Sequence, residues 1–248
     1  DAPRGRIVAV DTHGKTAPVL AQRDGAIQRI APLGDGFLVV RSWGPDWWVE
    51  QYDTHATLVQ RLPLPAHGIA VDDLAAQSGS NRALLSYSGW TTPTRWVEYD
   101  GTHGTLKTVF AVHPAADYSK VVAQRIEGTS TDGTRIPVTV LSLAGTRANG
   151  ARPTILYSYG GFGIPVRPGF IGANLAWLER GGVLAYANIR GGNEFGEGWH
   201  AQGQKRDKQN VFDDFHAAAL ALIDTHWTDR AHLGILGASN GGLLMGAQ

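Results

Sequence analysis

Two stretches of the chain repeat each other. Trp48-Val-Glu-Gln-Tyr-Asp-Thr-His-Ala-Thr-Leu58 returns as Trp96-Val-Glu-Tyr-Asp-Gly-Thr-His-Gly-Thr-Leu106, with the two tryptophans 48 positions apart. A fainter copy of the turn, Asp11-Thr-His13, lies 42 positions before Asp53. A period in the forties, built from about four short strands, reads as blades of a β-propeller. The other reading is a β-sandwich in which two strands resemble each other by chance. Two or so blades cannot close a ring, so further blades are expected before residue 1.

The residues around the repeat suit this reading. Arg6–Val10, Gly36–Val40, Trp47–Tyr52 and Ala83–Tyr87 are short apolar or alternating runs separated by glycine and aspartate turns. None of the first 112 or so residues keeps a 3.6-residue period. The 32 glycines and eight tryptophans fit a turn-rich β region followed by glycine-rich loops.

Near His113-Pro-Ala-Ala-Asp-Tyr118 the texture changes. A hairpin is expected from 126–134 and 136–143 around Thr131-Asp-Gly133, followed by a polar connection over 147–153. Strand and helix then alternate, as in α/β folds. Strands are expected at 154–159 and 183–189 and a helix at 173–180, closed by Gly181-Gly182. A second helix is expected at 211–223, with Phe212, Phe215, Ala219, Leu222 and Ile223 on its apolar face. The strand Leu233-Gly-Ile-Leu236 runs straight into Gly237-Ala-Ser-Asn-Gly-Gly242.

That last run matches G-x-S-x-G, a serine on a sharp strand-to-helix turn. The turn lifts the serine side chain clear of the sheet, and a Cβ at the flanking glycines would strike the neighbouring strand and helix. Ser239 is therefore the candidate nucleophile, and the backbone N–H of Asn240 is a candidate oxyanion donor. Tyr157-Ser-Tyr-Gly-Gly-Phe162 ends another strand, where ligands of open α/β sheets gather. There the Tyr159 hydroxyl either donates to a developing oxyanion or is simply packed. Asn188 to Gly196 leaves a third strand end but carries neither a Walker-type nor a dinucleotide glycine pattern. Arg190 and Glu194 are expected to hold this loop by a local ion pair. Asp213 and Asp214 are expected to be a solvated or helix-capping pair.

Composition removes several classes. With 22 basic and 22 acidic residues the formal charge is zero, which argues against a nucleic-acid partner. There is no cysteine, so no thiolate nucleophile or cysteine-ligated metal. That absence fits the cytoplasm without excluding the periplasm. No apolar run is long enough to span a membrane, and the first residues are not a signal peptide. No metal or other cofactor is implied, because the chemistry is covalent acyl transfer.

Taken together, Tyr159-Gly-Gly-Phe162, Ala187-Asn-Ile-Arg-Gly-Gly192, Lys208-Gln-Asn-Val-Phe-Asp-Asp-Phe215 and Gly237-Ala-Ser-Asn-Gly-Gly-Leu-Leu244 resemble the prolyl oligopeptidase family of serine peptidases. The resemblance covers residues 117 to 248. It implies an α/β-hydrolase catalytic domain preceded by a propeller, with 1–113 as the last blades and 114–248 as part of the catalytic domain. It implies that Ser239 attacks the scissile carbonyl, that Asn240 N–H and the Tyr159 hydroxyl bind the oxyanion, and that Phe162 lines the substrate groove. Short peptides are the implied substrates, with a preference for the bond after proline. Asn240 favours the proline-specific branch over the oligopeptidase B branch.

Only nine residues follow Ser239, and none is Asp, Glu or His. The acid and base of a Ser–His–Asp machine are therefore expected beyond Gln248, and these 248 residues are expected to be inactive by themselves. Two alternatives stand beside the peptidase: an acyl hydrolase or esterase on the same fold, and a propeller-type binding module with a dead hydrolase remnant.

Overall fold

A computed structural model describes residues 2–248; Asp1 lies outside the described residues. The chain divides into two compact units. One is Asp1–Pro114 with Arg167–Phe170, and the other is Ala115–Val166 with Ile171–Gln248.

The first unit is all β. After the hairpin β1 (Ile7–Val10) and β2 (Thr16–Leu20) come two four-stranded antiparallel sheets. The first runs in order through β3 (Ala26–Leu33), β4 (Gly36–Trp43), β5 (Asp46–Tyr52) and β6 (Leu58–Arg61). The second repeats that order with β7 (Ile69–Ala76), β8 (Arg82–Gly89), β9 (Arg95–Asp100) and β10 (Thr105–Ala111). Each is a meander in which every strand pairs with its neighbour in sequence, the form of a propeller blade.

The repeat has a structural cause. Trp48 and Trp96 occupy the third strands, β5 and β9, of the two sheets. Each third strand leads into a turn closed by its aspartate. Asp53 Oδ1 accepts the His55 and Thr57 N–H groups, both at 2.8 Å. Asp100 Oδ1 accepts Thr102 N–H at 2.9 Å, and Asp11 Oδ1 accepts His13 and Lys15 N–H between β1 and β2. Aspartate side chains that satisfy the turn's own N–H groups make short hairpins possible. Leu38, Val40, Val49, Leu85, Val97 and Tyr99 form the apolar core of these sheets.

The second unit carries a five-stranded mixed sheet ordered β11-β12-β14-β13-β15. Its strands are β11 (Val121–Thr129), β12 (Arg135–Leu143), β13 (Thr154–Tyr157), β14 (Val183–Ala187) and β15 (Leu233–Leu236). The pairs β11–β12 and β12–β14 are antiparallel; β14–β13 and β13–β15 are parallel. Three helices lie between these strands, α1 (Leu175–Glu179), α2 (Glu197–Ala201) and α3 (Gln209–Asp224), and α4 (Asn240–Gly246) follows β15. Val138, Val140, Leu156, Ala185, Val211, Phe215, Ala218 and Leu222 fill one core between sheet and α3.

The expected elements are present with shifted ends. The strand expected at 154–159 stops at Tyr157 and that at 183–189 stops at Ala187. The helix expected at 173–180 is a 3₁₀ turn, Gly172–Asn174, followed by α1. The buried face of α3 differs from the apolar stripe read from sequence. Val211, Asp214, Phe215, Ala217, Ala218, Ala221 and Leu222 are buried, whereas Phe212, Ala219 and Ile223 are only partly so. The helix is rotated toward Asp214 because that carboxylate has a buried cation to meet. No helix among the described residues is long and apolar enough to cross a membrane.

Candidate active site

Three loops leave the carboxyl ends of three adjacent parallel strands. In register, Tyr157 at the end of the central β13 pairs with Tyr186 of β14 and with Leu236 of β15. Chain direction therefore delivers Tyr159, Asn188 and Ser239 to the same edge of the sheet, the usual ligand side of a parallel sheet. The three segments singled out from sequence lie in these three loops.

Ser239 is exposed, with φ 54° and ψ −119°, and α4 begins at the next residue. A positive φ is strained for any residue with a Cβ. The turn fits only because its neighbours are small: a Cβ on Gly237 would sit 2.3 Å from the Gly241 carbonyl oxygen. The expected collision between elbow glycine and helix is thus explicit in the backbone.

Asn240 faces the loop after β13. Its Nδ2 donates to the Tyr159 carbonyl at 2.6 Å, and a Cβ on Gly161 would lie 2.6 Å from that same nitrogen. Gly161 thus lets the two segments touch. Tyr159 is half-buried. Phe162 also has positive φ, 56°, and is 78% exposed. An aromatic ring held in solvent on a strained backbone contributes nothing to the core.

The loop after β14 is held differently from the expectation. Arg190 does not pair with Glu194. Its guanidinium reaches back to Asp214 on α3, with Nη2–Oδ1 at 2.6 Å and Nε–Oδ2 at 2.9 Å, and also contacts Asp132 in the β11–β12 turn. Asp214 is fully buried, accepts the Arg190 backbone N–H at 3.0 Å and the Ser130 hydroxyl at 2.6 Å, and is neither solvated nor a helix cap. Only Asp213 behaves as a surface group, accepting from Thr131 and Gln209. Burial works against the Arg190 charge, but the hydrogen bonds its guanidinium donates to Asp214 and Asp132 outweigh it and raise its pKa. The Arg190 contact in turn holds the Asp132 carboxyl far below the usual range. Sequence reasoning missed this cluster because its members are up to 84 residues apart.

Glu194 is buried at 1% exposure. Its Oε1 accepts Val166 N–H at 2.8 Å and Asn188 Nδ2 at 3.2 Å, while Asn188 Nδ2 also donates to Val166 O at 2.6 Å. Burial pushes the Glu194 carboxyl up to about 7, against the pull of those hydrogen bonds. Together with the bond from Gly163 N–H to Gly191 O at 2.9 Å, this group staples the 159–166 loop to the 188–196 loop. The upstream histidines make local pairs: His200 Nδ1 lies 3.0 Å from Glu197 and His232 Nδ1 lies 2.6 Å from Asp229. His216 and His226 are exposed.

Residues 168–248 match the family model described as the prolyl oligopeptidase family. The chain is 38% identical over 199 residues to a prolyl endopeptidase of Elizabethkingia meningoseptica, covering 80% of this chain and 28% of that protein. It is 41% identical over 189 residues to an uncharacterized peptidase, y4nA, of Sinorhizobium fredii, covering 76% and 26%. A solved structure from a study of two prolyl endopeptidases superposes with a TM-score of 0.94 at 31% identity, over 99% of this chain and 37% of that one. Prolyl oligopeptidase B from Galerina marginata, solved with a 25mer macrocyclization substrate, superposes at 0.91 with 28% identity, over 99% and 35%. The chain thus spans between about a quarter and two fifths of the length of these relatives. These matches in sequence and in structure agree: the chain belongs to the prolyl oligopeptidase family of serine peptidases.

Proposed function

We propose that residues 114–248 form part of an α/β-hydrolase catalytic domain, that 1–113 are blades of the accompanying propeller, and that the protein cleaves short peptides after proline through Ser239. The observation that carries this reading is the strained, exposed Ser239 on a strand-to-helix turn, joined through Asn240 to the Tyr159 loop. The relatives named as prolyl endopeptidases support the substrate class.

In this reading Ser239 Oγ bonds to the scissile carbonyl carbon as a general base takes its proton. The carbonyl π electrons move onto oxygen, and the Asn240 N–H and Tyr159 O–H donate to that oxyanion. Collapse of the tetrahedral intermediate breaks the C–N bond, the amine leaves with a proton, and water then releases the acyl group from Ser239. Phe162 offers an apolar face to the peptide. No His, Asp or Glu follows Ser239 in the 248 residues, so the reading assigns no base. Loss of the base in another serine protease costs on the order of a million-fold in turnover, so these residues alone are proposed to give no useful turnover.

The test is turnover of a proline-containing chromogenic peptide by the intact protein, beside Ser239→Ala. Serine-dependent cleavage after proline is the expected result. Cleavage only of esters would favour the acyl hydrolase. No turnover and no labelling of Ser239 by a fluorophosphonate would leave a binding module.

A further inference from the structure

Lys208 stands where helix physics does not want it. It has helical backbone angles between a 3₁₀ turn, Lys205–Asp207, and the first residue of the 16-residue α3, and its side chain makes no capping bond. The positive end of the helix dipole repels a cation there. The side chain is also half-buried, and burial lowers its pKa. Something other than the helix must favour a lysine here.

Its contacts supply the reason. Lys208 Nζ donates to the Gly160 carbonyl at 2.7 Å and to Asn240 Oδ1 at 3.4 Å, and lies 5.8 Å from the centre of the Phe212 ring. The other end of the Asn240 amide donates to the Tyr159 carbonyl at 2.6 Å. A donor on one side and an acceptor on the other fix which way that amide is turned. One ammonium thereby ties the segment that carries the Tyr159 hydroxyl to the segment that carries Ser239 and the Asn240 N–H. These segments are 80 residues apart in sequence; strand pairing between them ends at Tyr157 and Leu236, and beyond it Gly160 lies in a loop while Asn240 opens α4, so side-chain contacts hold the two where they meet.

We propose that Lys208 is a positioning residue for acyl transfer: its ammonium holds the Gly160 carbonyl and the Asn240 side chain together and so sets the spacing between the two oxyanion donors. This rests on the roles assigned above to Ser239, Tyr159 and Asn240. Lys208 itself touches no reacting atom. Misplacing a donor by a fraction of an ångström weakens the transition state more than the ground state.

The experiment uses the intact protein and compares wild type, Lys208→Met and Lys208→Arg on a proline chromogenic peptide. It also measures inhibition by a matching peptide aldehyde, whose serine adduct places an oxygen in the oxyanion site. With Lys208→Met, kcat is expected to fall about tenfold or more while KM stays within about threefold. Aldehyde affinity should fall in step with kcat, and Lys208→Arg should recover part of both. A lysine that only supports the fold would lower melting temperature and leave the activity of the folded fraction and its aldehyde affinity unchanged. If Lys208→Met does not fold, Lys208→Gln is measured against the same criteria. The proposal is overturned if kcat and aldehyde affinity of the folded variant stay within about twofold of wild type while turnover remains abolished by Ser239→Ala. Turnover that survives Ser239→Ala would instead sink the reading of the site, and the proposal with it.

Discussion

The guanidinium of Arg190 and the carboxylate of Asp214 meet at 2.6 Å with 1% and 0% of their side chains exposed. The pair bolts the loop after β14 to α3. Removing one partner of a buried pair strands the other charge, at a cost of about 3–5 kcal/mol. Asp214→Ala is therefore expected to lower stability by about that amount, read from the midpoint of urea unfolding. Replacing both side chains, Arg190→Met with Asp214→Leu, is expected to cost much less than either single change. Equal losses in the single and double variants would contradict this.

Glu194 predicts an unusual dependence of stability on pH. Its carboxyl is raised to about 7 from an ordinary value of 4.5, so between those values the native state holds a proton that the unfolded chain has lost. This group's contribution is full below pH 4.5 and falls as pH rises to 7, by about 3 kcal/mol in total. Glu194→Gln cannot ionise. The stability difference between wild type and this variant should therefore slope across that window and be flat above it. A flat difference throughout would show that Glu194 is charged in the native protein.

Ser239 is held at positive φ, which costs a residue with a Cβ about 1–3 kcal/mol. Glycine adopts this backbone freely. Ser239→Gly should therefore melt higher than Ser239→Ala, which keeps the strain, and the proposed function expects both to lose turnover. Identical melting temperatures would mean that the turn relaxes without glycine.

Phe162 buries little of itself, so Phe162→Ala should leave the melting temperature unchanged. If the ring binds peptide equally in ground and transition states, KM should rise several-fold with kcat constant. Steady-state kinetics on the intact protein decide this, and a fall in kcat at constant KM would assign the ring to the reacting centre instead.

How much of this was legible beforehand depended on distance along the chain. The blade repeat could be read because each Asp-Thr-His turn is satisfied by its own aspartate within four residues. The order of strands and helices after residue 120 could be read because the apolar periods and glycine stops are equally local. Ser239 and its glycine flanks were legible because the strain at the elbow restricts the residue types allowed there. The Arg190–Glu194 pair inferred from nearness in sequence was wrong for the same reason: a buried guanidinium takes the carboxylates that surround it in space.

The sequence by itself determined which segments are strands, helices and strained turns, since those choices rest on bonds within a few residues. Tertiary structure alone decided that α3 rotates Asp214 inward to meet Arg190, that Glu194 is buried beside Val166 and Asn188, and that Lys208 joins Gly160 to Asn240. Each of these places an ionisable group in partly or fully buried surroundings, and the partners that make such burial tolerable come from elements far apart in the chain.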